Sequence, residues 1–128
     1  MSTFTEAELD YLASQHLMRF ATASQSGKPD IAPVGFAIDG DDIVSGGFDI
    51  TRTVRYKNVQ NNPRAAVVID DLAAIDPWTP RGIKVVGAVT IEEADGAPRF
   101  RIRPKVIISW GVNDTSPGTP KMDRRTFP

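Results

Sequence analysis

The residues Thr51-Arg52-Thr53-Val54-Arg55-Tyr56-Lys57-Asn58-Val59 follow a Gly46-Gly47 pair and open a stretch of helical character. A helix N-terminus carries unpaired N–H groups and the positive end of the helix dipole, which together suit a phosphate. Thr53 and Lys57 stand four residues apart and share one helix face. Arg52 falls in the first turn, where the dipole disfavours its charge unless an anion is present. The chemistry on offer is the binding of a phosphorylated ligand. The competing reading is a surface helix with scattered basic residues.

A second segment is Pro77-Trp78-Thr79-Pro80-Arg81-Gly82-Ile83-Lys84. An indole held between prolines can wall a pocket, Gly82 would let a ligand approach the backbone, and Arg81 and Lys84 add positive charge. Equally, Trp78 could cap the core beside a rigid loop. Asp70-Asp71 could bind a metal or transfer protons, but neighbouring strand residues face opposite ways, which favours a solvated strand end. Trp110 reads as a core or interface residue. His16 reads as a cation near a helix C-terminus.

Composition removes many other chemistries. No cysteine is present, so disulfides, thiolate metal sites and cysteine nucleophiles are excluded. With one histidine, a multi-histidine metal site is impossible. The formal net charge of −1 gives no general attraction for nucleic acid or anionic membrane. No run approaches the roughly 20 apolar residues of a membrane span. Acidic residues Glu6, Glu8 and Asp10 replace the apolar core a signal peptide would need, so a cytoplasmic location is expected. No glycine-rich dinucleotide fingerprint, Walker lysine motif or nucleophile elbow occurs.

The elements that must position these residues read as strands joined by short turns. Thr5 and Glu8 form a capping box for a helix over residues 5–15. Strands follow at 17–23, 30–38 and 43–48, the first two joined by a polar turn around Gly27. Pro33 marks the second strand as an edge or bulge. A helix is expected over 51–62, with Thr51 as N-cap and Pro63 as stop. Strands at 65–70, 82–93, 100–103 and 105–110 complete the pattern, with a loop at 72–80 and Pro104 as a break. This is a mainly β, antiparallel barrel or sandwich with two inserted helices. Several strands are apolar on both faces, at 67–69, 83–89 and 106–108, so one face needs a cover. A homodimer is the economical cover. Residues 1–111 make the domain, and 112–128 are expected to form an irregular tail.

In order and spacing, several stretches resemble the pyridoxamine 5′-phosphate oxidase-like split β-barrel flavoproteins, especially the actinobacterial F420-dependent (deazaflavin) branch. They are residues 4–12, Arg19-Phe20-Ala21-Thr22-Ala23, Gly27-Lys28-Pro29, Pro33-Val34-Gly35-Phe36, Arg52 with Lys57-Asn58-Val59, Asn62-Pro63-Arg64, Asp70-Asp71, 78–82 and 107–111. The resemblance implies an antiparallel split β-barrel of the FMN-binding type and a homodimer with a cofactor site at each interface. It implies Arg52, Thr53 and Lys57 as phosphate ligands, and Ala32, Pro33 and Val34 against the ring system. Trp78, Pro80, Arg81 and Gly82 would close the pocket from the other subunit. The C-terminal arginine-rich motif of true pyridoxamine phosphate oxidases is missing, and Arg124-Arg125 does not replace it.

The activity implied is hydride transfer from F420, or alternatively FMN, to a small conjugated acceptor such as an enone, quinone or tetrapyrrole-like compound. The cofactor would carry the chemistry and the protein would orient and shield it. Arg81 or Lys84 could polarise an acceptor oxygen, with the proton coming from solvent. The alternatives are a carrier that holds a flavin or haem-like ligand without turnover, and a barrel that has lost its cofactor.

Overall fold

The structure is a computed structural model and describes residues 3–128. Helix α1 spans Glu6–Ala13, and the expected capping box is present: Thr5 Oγ1 accepts from Glu8 N–H, and Glu8 reaches back to Thr5 N–H. His16 lies exposed beyond the Ser14 cap, and the last turn of α1 holds no basic residue, so the helix-end role expected of His16 is not realised.

The strands are β1 (Leu17–Ala23), β2 (Pro29–Gly35), β3 (Ala37–Asp39), β4 (Asp42–Ser45), β5 (Arg64–Ala74), β6 (Thr79–Ala94), β7 (Ala97–Trp110) and β8 (Met122–Thr126). They form one antiparallel sheet in the order β2-β1-β5-β6-β7-β4-β3, with β8 also on β7. One flank of β7 is shared, by β4 at residues 100–102 and by β8 at 106–110. The sheet curls into a split barrel, as expected, and β2 with its Pro33 is an edge strand. The inward rows of Met18, Phe20, Val67, Ile69, Ile83, Val85, Phe100, Ile102 and Ile107 are buried and form the core. Phe20 and Phe100 meet edge to face at 5.1 Å.

Four expectations are corrected. The helix expected over 51–62 is a 3₁₀ turn, Ile50–Arg52, followed by helix α2, Val54–Asn61, whose N-cap is Thr53 rather than Thr51. Asp49 takes the Thr51 N–H, so the turn closes before the helix begins. Most of the loop expected at 72–80 is strand. β5 and β6 continue as a hairpin whose turn occupies 75–78, because Asp71 and Arg81 lie opposite one another and pair. Pro104 does not break β7: the register skips Lys105, between Pro104 opposite Gly87 and Val106 opposite Val86, and a bulge tolerates a residue without an N–H. The irregular tail ends before Met122, where β8 returns to pair with residues 106–110. Arg125 of β8 is drawn in by the buried carboxylate of Glu8.

Candidate functional site

The expected site residues fall at two separate ends of the sheet. The first end is built on α2. Asn58 is buried and donates from Nδ2 to Thr22 Oγ1 at 3.0 Å, while Asn62 reaches Ala23 O at 3.3 Å, so the helix is fixed across β1. Val59 fills the core, and Tyr56 packs 6.4 Å from the Phe100 ring. This leaves Arg52 and Lys57 exposed and Arg55 half-buried. Residues 50–69 contain four cations, Arg52, Arg55, Lys57 and Arg64, and no acid. Among the described residues none of the four has a carboxylate within ion-pair distance, whereas Arg81, Arg99, Arg101, Lys121 and Arg125 are all paired.

Arg55 adds an observation that only the structure supplies. Its Nε is buried and has no hydrogen-bond partner. A buried donor left unmade costs about 1–3 kcal/mol, more when charged, so such a group calls for an acceptor. The signal was present in the sequence, since Arg55 belongs to the same acid-free run, but its burial was not. The hydroxyl of Thr53 is already engaged: it accepts from Tyr56 N–H at 3.2 Å and donates to Ile50 O at 2.6 Å. Its single proton goes to the turn, which makes Thr53 the residue that shapes the start of α2. Beside Lys57 a groove of about 410 Å³ runs between α2 and the β1–β2 turn, lined by Ser24, Gln25, Ser26, Asn58 and Asn61.

On β2, Ala32 is half-buried and Val34 buried, while Pro33 faces outward, so the three do not share one face. Ser45 Oγ donates to Gly35 O at 2.7 Å, joining the ends of β2 and β4 across the split.

The second end is the β5–β6 hairpin. Trp78 stands 67% exposed at its turn. Arg81 is clamped by Asp71, Nε to Oδ1 at 2.6 Å and Nη2 to Oδ2 at 3.0 Å. Its guanidinium lies 5.0 Å from the centre of the Tyr11 ring. Tyr11 Oη and Gln15 Nε2 complete the shell of Asp71 at 3.0 and 3.1 Å. The Arg81 guanidinium holds the Asp71 carboxyl below its ordinary range, and burial together with Asp71 pushes the Tyr11 phenol up. Asp71 is therefore an ion-pair partner, not a solvated strand end, while Asp70 is exposed. Among the described residues no group of three His, Asp or Glu side chains is placed to hold a metal. The space above Gly82 is taken by Trp110: a Cβ there would lie 2.5 Å from Cζ2 of the indole. The missing side chain accommodates Trp110, not a ligand.

Along β5, Arg64 beside α2 and Asp71 beside Arg81 are seven residues apart, about 23 Å at ~3.3 Å per residue. One chain does not bring the two ends together.

The fold is a split barrel, and the cations on and beside α2 have no carboxylate partner among the described residues. Comparison with known proteins gives the family: a model described as pyridoxamine 5′-phosphate oxidase matches residues 4–123, and the chain belongs to that family. A relative from Streptomyces rimosus, 5a,11a-dehydrotetracycline/5a,11a-dehydrooxytetracycline reductase, is 34% identical, covering 94% of this chain and 92% of the relative. Family and relative together support an oxidoreductase. Among solved structures, the conserved hypothetical protein Rv2991 from Mycobacterium tuberculosis matches with a TM-score of 0.70 at 19% identity, over 91% of this chain and 94% of that one. A heme binding protein from Mycobacterium smegmatis matches with a TM-score of 0.73 at 17% identity, over 97% of this chain and 59% of that one. At these identities the structures speak for the fold alone.

Proposed function

We propose that the protein is a deazaflavin (F420)-dependent reductase that acts as a homodimer and delivers hydride to a carbon–carbon double bond conjugated with a carbonyl group. The carrying observation is the acid-free cluster of Arg52, Arg55 and Lys57, with the buried, unpartnered Nε of Arg55 at its centre. A cofactor phosphate bound here would offer this nitrogen the acceptor it lacks. The groove continuing from Lys57 leaves room for the long anionic tail that F420 carries beyond its phosphate, and this supports the F420 reading.

When bound, the reduced cofactor supplies the hydride. Hydride would add to the β-carbon of the acceptor, the carbonyl oxygen would take up the displaced pair through the conjugated system, and a solvent proton at the α-carbon would complete the reduction. The task of the protein is to hold the phosphate at α2 and the ring against β2, away from bulk water. The Streptomyces rimosus reductase supports an unsaturated polycyclic ketone as the acceptor class.

The test is titration with F420 and, separately, FMN, followed by the fluorescence of Trp78 and Trp110, in wild type, Lys57→Ala and Arg55→Met. F420 is expected to bind more tightly than FMN. Arg55→Met should weaken binding at least tenfold while leaving the free protein as stable as wild type or more so, since it removes an unsatisfied buried donor. Preference for FMN moves the protein to the flavin branch. Binding without turnover of the reduced cofactor favours a carrier, and no binding of either compound sinks the cofactor reading.

A further inference from the structure

Of the six phenylalanines, Phe4, Phe20 and Phe100 are buried and Phe36 and Phe127 are partly buried. Phe48 alone stands wholly in solvent, with a relative exposure of 112%. Its backbone is nevertheless held on both sides. Upstream, Ser45 is buried and bonded to Gly35 O. Downstream, Asp49 accepts from the N–H and the hydroxyl of Thr51 at 3.1 and 2.5 Å, and Ile50 is buried. Between these anchors lie only Gly46, Gly47 and Phe48.

This short segment borders both halves of the proposed cofactor site. It leaves β4 where Ser45 meets Gly35, the residue after Val34. At Gly47 a Cβ would lie 3.4 Å from Ile50 and 3.9 Å from Nη2 of Arg55, so even the smallest side chain there would touch that guanidinium. A Cβ on Gly46 would meet nothing within 4 Å. The two glycines leave the segment free to pivot, while the anchors keep the ring at the mouth of the split.

We propose that Phe48 determines acceptor specificity: its phenyl ring stacks on a planar conjugated ring system that enters at the mouth of the split between β2 and β4. The inference rests on the cofactor reading above. The anionic part of the cofactor belongs with α2 and its ring with β2. Phe48 neighbours both, and its ring is wholly exposed in the single chain, which leaves it free to meet an entering ring. Flat rings prefer offset or edge-to-face contact, and an aliphatic side chain of similar size does not reproduce that preference.

The experiment compares wild type with Phe48→Ala, Phe48→Leu and Phe48→Tyr, using the full chain loaded with the cofactor it binds and 5a,11a-dehydrotetracycline as the planar probe. The Ala and Leu variants are expected to raise the KM for the probe about tenfold, with kcat and the cofactor Kd within twofold of wild type. The Tyr variant should keep the wild-type KM. An unchanged KM in the Ala variant overturns the inference, as does a Leu variant that equals Tyr, because bulk alone would then suffice. A cofactor Kd that weakens in step with KM also overturns it, placing the ring in the cofactor pocket. Refusal of the probe by cofactor-loaded wild type overturns it and leaves the cofactor reading standing. Failure of wild type to bind either cofactor, measured first, removes that reading and the inference with it.

Discussion

Glu8 is a carboxylate with no exposed surface, at the third position of α1. Its two oxygens accept from Thr5 N–H, Ser109 Oγ, Asn113 Nδ2 and both terminal nitrogens of Arg125, which also pairs with Asp123. Burial alone would push the Glu8 carboxyl up, but Arg125 and the other donors outweigh it and hold the group below its ordinary 4.5. Folded chains therefore bind this proton more weakly than unfolded ones. The stability it contributes is present at neutral pH and is lost as pH falls below about 4.5 through the lower folded value. Arg125→Ala strands the carboxylate. We expect a loss of about 2–3 kcal/mol at pH 7, below the ~3–5 kcal/mol of a fully buried pair because part of Arg125 still meets water. With Arg125 gone, burial is opposed only by Thr5 N–H, Ser109 and Asn113, so the variant should lose less additional stability between roughly pH 5 and pH 3 than wild type does. Urea midpoints across that range measure both effects. Parallel curves would show that Glu8 is not the group titrating.

At the scale of elements, helix α2 separates what was legible in the sequence from what was not. Thr51 and Thr53 are both good N-caps by type, and nothing local decides between them. Asp49 does, by closing a 3₁₀ turn on Thr51, and the cap passes to Thr53, whose hydroxyl both accepts from Tyr56 N–H and donates to Ile50 O. Thr53→Ala should therefore cost about 1 kcal/mol or slightly more, and Thr51→Ala no more than a few tenths, by urea denaturation. Equal losses would contradict the assigned cap. The same limit explains the other misreadings. The Thr5–Glu8 box, the Gly27 turn and the edge position of Pro33 rest on interactions within a few residues, and the sequence shows them. The continuation of β5 through Asp71, the passage of β7 over Pro104 and the return of β8 depend on partners 10, 17 and 117 residues away: Arg81, Gly87 and Glu8. At the site, the basic run on α2 was legible as a pattern. The occupation of Gly82 by Trp110 and the orphaned Nε of Arg55 were not, because both are facts of packing.

Across the whole molecule, the outward face of the sheet carries a cross-strand row of Ile31, Ala21, Ala66, Val86 and Val106, each directly opposite the next. Ile31 is 64% exposed and Val86 39%. The next such row is mixed, with Pro33, Arg19, Val68, Lys84 and Ile108. An apolar row across five strands, bordered by charge, suits burial against another surface. The two groups of expected site residues lie about 23 Å apart along β5, a gap that a second copy on this surface would close. In a homodimer the partner would bring its Trp78–Arg81 hairpin to the α2 cluster. Val86→Asp tests both points with one substitution. In a lone chain the new charge faces water and should change stability little. In a dimer it would be buried unpaired at the centre of the contact. Light scattering should show wild type at twice the chain mass and Val86→Asp at the chain mass. Cofactor affinity should fall together with dimerisation, although Val86 lies outside the proposed cofactor contacts. A variant that remains dimeric would move the interface elsewhere. A monomeric variant with undiminished affinity would leave the α2 cluster sufficient on its own and assign the Arg81 clamp to stability alone.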